Sequence, residues 1–127
     1  MLPRLSNVPQ LNHVVSDYLN ELQKQHFEGD IASNYADRLS LATDNSVYQQ
    51  LPQAILFPKS VADVVRITKL ANKEKYLQLT FTPRGGGTGT NGQSINNNII
   101  VDLSRHMTGI LELNIEERWV RVQAGVV

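Results

Sequence analysis

Residues 52–94 read PQAILFPKSVADVVRITKLANKEKYLQLTFTPRGGGTGTNGQS. Ala54-Ile55-Leu56-Phe57 is an apolar run closed by Pro58, the pattern of a buried strand. Ser60 stands where a helix N-cap belongs. Its hydroxyl can accept from the Asp63 amide, Asp63 can reach back to the Ser60 amide, and the carboxylate sits at the positive helix end. Val64, Val65, Ile67, Thr68, Leu70 and Ala71 recur at helical spacing, while Lys69, Lys73 and Lys75 crowd the end that favours cations and read as a solvated face. Leu77-Gln78-Leu79-Thr80-Phe81-Thr82 alternates with the period of a strand. Residues 54–82 are therefore expected to form a βαβ unit with parallel strands and a right-handed crossover. Its second strand delivers the chain into a glycine-rich loop at a carboxyl end, where such sheets bind ligands.

Five of the chain's eight glycines fall within residues 85–92. Glycine permits positive φ and close approach to the backbone. Successive amides in such a loop can converge on an anion, and a pyrophosphate offers many acceptor oxygens. Thr88, Thr90, Asn91 and Ser94 can add side-chain donors; Arg84 can meet a phosphate or brace the loop through a carboxylate. The plain alternative is a flexible glycine linker, but the loop lies between two strands and opens on a stiff Pro-Arg pair. Two other phosphate motifs fail on context. Gly87, Gly89 and Gly92 match the Rossmann spacing, yet a polar, asparagine-rich stretch and a strand follow where a helix is required. Gly87 and Gly92 mimic a P-loop, with Gln93 in place of its lysine.

Outward from this segment, residues 1–9 read as an extended lead-in punctuated by Pro3 and Pro9. Leu11, Val14, Val15, Tyr18, Leu19 and Leu22 paint one helical face between Leu11 and Phe27, with Gly29 as the stop. Ile31, Tyr35 and Leu39 suggest a short second helix, and Thr43-Asp44-Asn45-Ser46 a turn. Downstream, Ile99-Ile100-Val101-Asp102-Leu103 reads as a strand. Leu111, Leu113 and Ile115, then Val120, Val122 and Ala124, alternate with polar neighbours and predict a hairpin turning at Glu116-Glu117. The expected fold is α+β: N-terminal helices (residues 1–51) packed on a small βαβ-plus-meander mixed sheet (residues 52–127). The apolar ending Ala124-Gly125-Val126-Val127 suggests an excerpt of a longer polypeptide.

The 127 residues suffice for one small core, and 41% hydrophobic with 19% charged residues marks a globular chain rather than a disordered one. A formal net charge of zero supplies no field to attract nucleic acid or an anionic membrane. The absence of cysteine excludes disulfides and thiolate metal sites within the chain. No signal peptide or run of about 20 apolar residues is present, so a cytoplasmic location without an intrinsic membrane segment is expected. His13, His26 and His106 are scattered and read as solvated or packing residues. Asp102, ending a strand, can cap a turn or orient the loop. Asp44 and Asn45 read as turn residues, and Trp119 as a packing, interface or exposed strand residue.

Residues 83–92 resemble the hallmark of the FAD-binding domain of the vanillyl-alcohol oxidase (PCMH-type) superfamily, Pro-Arg-Gly-[Gly/Ala]-Gly-Thr-Gly-x-[Ser/Asn]-Gly. The resemblance continues through residues 52–64, Ile100–Ser104 and Trp119–Val126. Tyr35–Leu39, Thr43–Gln49 and Gly89–Gln93 resemble a branch of large bacterial FAD-linked oxidoreductases acting on D-2-hydroxy acids, notably D-2-hydroxyglutarate, with a C-terminal iron–sulphur region. The resemblance implies an FAD pyrophosphate wrapped by Arg84, Gly85, Gly86, Gly87, Thr88, Gly89, Thr90, Asn91, Gly92, Gln93 and Ser94. It implies that this chain is the first FAD-binding subdomain. The catalytic base, the 2-hydroxy acid site and any iron–sulphur cluster would lie outside it. Some relatives attach flavin to a histidine just after the glycines; Thr88 stands there, so non-covalent FAD is implied. The alternatives are a non-catalytic nucleotide- or phosphate-binding module, and a structural domain whose loop is only a turn.

Overall fold

The computed structural model describes residues 10–127; the lead-in read over residues 1–9 lies outside them. Helix α1 (His13–Lys24) starts at Asn12, whose side chain accepts from the Val14 amide at 2.9 Å. It buries Val15, Tyr18, Leu19 and Leu22, the stripe read from the sequence. The predicted glycine stop does not end it. His26 takes the left-handed conformation, φ 58°, two residues after the helix. Gly29 serves packing instead, since an added Cβ would overlap the Phe57 carbonyl and the Phe27 ring.

Ile31 does not begin a second helix. Asp30–Ala32 is strand β1, and Asn34 caps a short helix α2 (Tyr35–Ser40) by accepting from the Asp37 amide. The predicted short helix is therefore present, but the four-residue recurrence misplaced its start and its buried face: Leu39 stays 52% exposed while Arg38 is buried, its Nε donating to the Pro52 carbonyl at 2.7 Å.

Strand β2 (Ala54–Phe57), helix α3 (Val61–Ala71), strand β3 (Phe81–Arg84) and strand β4 (Ile99–Asp102) complete the main layer. The sheet order is β1-β2-β4-β3, with β1 antiparallel to β2, and β4 lying parallel between β2 and β3. The βαβ strands are thus parallel, as expected, with a later strand inserted between them. Central β2 and β4 are buried on both faces, as their unbroken apolar runs demand. Ala54, Leu56, Ile99 and Val101 pack with α1 and α3, whereas Ile55, Phe57 and Ile100 face Ala32 and Leu41.

The strand expected over residues 77–82 lies later, at 81–84. A 3-10 turn (Glu74–Tyr76) buries Tyr76, and the chain becomes extended only at Phe81. Pro83 does not stop this strand because β3 is an edge strand, where a missing N–H is tolerated. Strands β5 (Ile110–Asn114) and β6 (Trp119–Val122) form the predicted hairpin as a separate two-stranded sheet. Its turn needs no glycine: Arg118 adopts φ 57°, and Asn114 Oδ1 accepts from the Glu117 amide at 2.9 Å. Among the described residues no helix is long and apolar enough to cross a membrane.

Two polar clusters bind the helices to this layer. Ser60 Oγ caps α3 by accepting from the Asp63 amide at 3.2 Å, as predicted. Asp63 does not reach back to Ser60. Fully buried, it accepts from the Glu28 and Lys59 amides and from Arg66, each at 3.0 Å. Lys73 and Lys75 lie beyond α3 and are not its solvated face: both pair with Glu21 of α1, at 2.6 and 2.5 Å, and Tyr76 donates to the same carboxylate at 2.8 Å.

Asp63→Ala removes the acceptor of two amides and is expected to lower the unfolding free energy by about 2–3 kcal/mol. Denaturant unfolding measures it, and a change below about 0.5 kcal/mol contradicts the assignment. The hydrogen bonds from Lys73, Lys75 and Tyr76 hold the Glu21 carboxyl down from 4.5 to about 2, against the opposing effect of burial. A depressed folded pKa contributes stability that is present above pH 4.5 and lost as pH falls toward 2. The melting-temperature gap between wild type and Glu21→Gln should therefore be open at neutral pH and close across that window; a gap independent of pH contradicts this.

Candidate functional site

Edge strand β3 ends at Arg84, and residues 85–98 contain no helix, which removes the Rossmann and P-loop alternatives on structural grounds. Two glycines are required by backbone conformation: Gly87 at φ 65° and Gly92 at φ 75°. A Cβ at Gly87 would overlap the Arg84 guanidinium, and one at Gly92 would lie 3.1 Å from the Tyr48 ring. At Gly85 an added Cβ would meet nothing within 4 Å, so the backbone there is open to an incoming group.

The loop's amides supply its chemistry. Among the described residues, no protein group accepts from the main-chain N–H groups of Gly85, Gly86, Gly87, Thr88, Gly89 or Thr90. Each of these residues is half-buried or exposed. The next amide, of Asn91, is satisfied by Gln93 Oε1 at 3.0 Å. Six consecutive donors without a protein acceptor, on glycine-rich backbone, suit an anion with several oxygens.

Arg84 braces this loop through carbonyls rather than through a carboxylate. Its Nη1 donates to Thr43 O at 2.8 Å, with a longer contact of 3.5 Å to Ser94 O, and its guanidinium lies against Gly87. Positive charge is thereby placed beside the free amides. The Gln93 side chain packs at Gly89, and Ser94, buried, donates to Asp44 Oδ2 at 3.1 Å. Thr88, Thr90 and Asn91 are exposed.

Sequence reasoning missed the second wall of the site. Thr43, Asp44 and Asn45 are more than turn residues: the Asn45 amide donates to Gly87 O at 3.0 Å, and Asp44 and Thr43 meet Ser94 and Arg84. Hydrogen bonds from Ser46 and Ser94 hold the Asp44 carboxyl below its ordinary value, with burial opposing. A cleft of about 420 Å³ opens between Thr43–Asn45 and Arg84, Gly87 and Thr88, and another of about 230 Å³ between Tyr48–Gln50 and Asn91, Gly92 and Ile95. A larger cleft of about 500 Å³, between α3, β3 and β4, has mainly apolar walls without a titratable group and includes none of residues 84–94.

The remaining candidates do not converge. Asp102 caps a turn, accepting from the Ser104 amide and hydroxyl at 2.9 and 2.7 Å. His106 contacts Asp30 at 2.6 Å, while His13 and His26 are exposed. Trp119 donates to Glu117 at 2.8 Å on the hairpin. No cluster of metal-ligating side chains occurs among the described residues.

The family model described as an FAD binding domain matches residues 52–127. The chain is 80% identical over its whole length to D-2-hydroxyglutarate dehydrogenase of Haemophilus influenzae and 58% identical to that of Escherichia coli, spanning 12% of each. Among solved structures, an alkyldihydroxyacetonephosphate synthase superimposes with a TM-score of 0.76 at 19% identity, over 94% of this chain and 24% of that one. The 4-ethylphenol oxidase of Gulosibacter chungangensis superimposes with a TM-score of 0.68 at 17% identity, over 93% and 23%. These two likenesses bear on the fold, which is the mixed α+β arrangement expected from the sequence.

The open amides, the glycine at positive φ and the adjacent guanidinium fit the diphosphate of FAD. Gly87→Val strains the backbone and displaces Arg84, so the intact protein should retain less than about a tenth of its FAD on purification. The bound flavin per protein, read from the absorption spectrum, checks this; full occupancy contradicts it. The family match runs through the whole glycine loop and across more than half of the sequence, and on that ground this chain belongs to the FAD binding domain family.

Proposed function

We propose that this chain holds the diphosphate of FAD within a larger flavin-dependent oxidoreductase that oxidises a D-2-hydroxy acid. The observation that carries the binding part is the run of free amides from Gly85 to Thr90 inside the family-matched loop. In this reading those amides receive the diphosphate oxygens. Thr88, Thr90 and Asn91 add exposed side-chain donors, and Arg84, Gly92, Gln93 and Ser94 shape the loop. Thr88 has no imidazole to form a covalent link, so this loop holds FAD non-covalently. When bound, FAD supplies a two-electron acceptor; the protein's share is to bind, orient and tune it.

The substrate class is supported by the 80% and 58% identities to D-2-hydroxyglutarate dehydrogenases. Because the chain spans 12% of those relatives, the base, the substrate-carboxylate ligands and any iron–sulphur centre are assigned to the rest of the protein. The same reading divides the chain at residue 52: an N-terminal segment that wraps the sheet and lends it β1, then the first FAD-binding subdomain. It places the protein in the cytoplasm.

The intact protein, expressed from its complete reading frame, is expected to purify with the visible bands of oxidised flavin. D-2-hydroxyglutarate, but not its L-enantiomer, should bleach them in the absence of an acceptor. A folded but colourless protein that binds other nucleotides would favour the non-catalytic module. A yellow protein indifferent to D-2-hydroxy acids would keep FAD and remove the substrate class.

A further inference from the structure

One of the two anchors of the glycine loop lies in Thr43–Gln50, outside the segment matched by the family model. This short stretch is braced by its own bonds. Thr43 bridges Gln49, the Gln50 amide donates to Ala42 O at 2.9 Å, the Ser46 amide donates to Asp44 Oδ1 at 2.9 Å, and the Tyr48 amide donates to Ser46 Oγ at 3.1 Å. From this base it reaches the glycine loop at four places: Arg84, Gly87, Gly92 and Ser94. Those contacts fall on both limbs of the loop: Arg84 before the free amides, the Gly87 carbonyl within their run, and Gly92 and Ser94 after it.

Asp44 is the junction. One carboxylate oxygen organises its own turn, and the other accepts from the buried Ser94 hydroxyl at 3.1 Å. Its neighbour Asn45 holds the Gly87 carbonyl at 3.0 Å. A carboxylate beside an anion site repels the anion, so its charge does not recommend it for that position; its geometry does. We propose that Asp44 is a positioning residue for the cofactor diphosphate: through Ser94 it fixes the returning limb of the glycine loop, while Asn45 fixes the outgoing limb at Gly87, so that the amides of residues 85–90 are held ready before the cofactor arrives. This rests on the reading of the loop as the diphosphate site.

The proposal separates shape from charge, and so does its test. Asparagine at position 44 keeps an acceptor for the Ser46 amide and can donate to Ser94 Oγ, which also accepts. Alanine keeps neither contact. FAD is stripped from the intact protein and titrated back, with flavin fluorescence giving the dissociation constant and thermal unfolding of each apoprotein reporting on the fold. Asp44→Ala and Ser94→Ala are expected to weaken FAD binding by roughly tenfold, the scale of one lost hydrogen bond to a charged group. Asp44→Asn should bind as tightly as wild type or more tightly, because the shape remains and the repulsion is gone. Apoprotein melting temperatures of Ser94→Ala and wild type should agree to within about 3 °C.

Wild-type affinity in both Asp44→Ala and Ser94→Ala overturns the proposal while leaving the diphosphate site intact. Asp44→Asn binding as weakly as Asp44→Ala also overturns it, because charge rather than geometry would then be responsible. A wild-type apoprotein that takes up no FAD removes the proposal together with the functional reading beneath it.

Discussion

Among the described residues, six consecutive peptide N–H groups, from Gly85 to Thr90, lack a protein acceptor, and much of the surrounding architecture follows from keeping them so. A backbone donor is normally paired within its own sheet or helix. Here the chain leaves edge strand β3 without entering a helix and returns to central strand β4, so neither kind of pairing is available to the loop. Glycine at φ 65° and 75° makes the path possible, and the Arg84 guanidinium fills the space that a side chain at Gly87 would need. The result is a stretch of exposed donors with positive charge close by, suited to a multiply charged anion.

Such a stretch must be held by something else. The sheet anchors one side: the Leu103 amide donates to Arg84 O at 2.8 Å, and the buried Asn96 side chain bridges Thr82 and Ile99 at 2.7 and 3.1 Å as the chain returns. The N-terminal segment anchors the other side through Thr43, Asp44 and Asn45. The same segment contributes β1 to the sheet and is stapled to α3 by the buried Asp63 carboxylate. Residues before and after position 52 are thus mechanically joined at the site, although the family model matches only the later ones.

The parts legible in the sequence were those set by local pattern. The apolar run 54–57, the Ser60 cap, the stripe of α1 and the glycine spacing of the loop each reflect chemistry within a few residues. What was illegible depended on partners far along the chain. Ile31 looked helical until its pairing with Leu56 was seen. Pro83 looked like a strand end because nothing local says that β3 lies at an edge. Asp63 looked like half of a capping box, yet it spends its oxygens on Glu28 and Lys59. Asp44 and Asn45 have turn chemistry, and that reading was correct locally; their contacts with Ser94 and Gly87 span more than forty residues and leave no periodic trace. Even Arg84 found carbonyl partners where a carboxylate had been considered.

A structure of the intact protein with FAD bound would give the distances from the diphosphate oxygens to the main-chain nitrogens of residues 85–90. The account predicts that several of these nitrogens lie within hydrogen-bond range, about 2.7–3.2 Å, of those oxygens. A diphosphate bound elsewhere, with these amides turned to solvent or paired to another part of the protein, would contradict it.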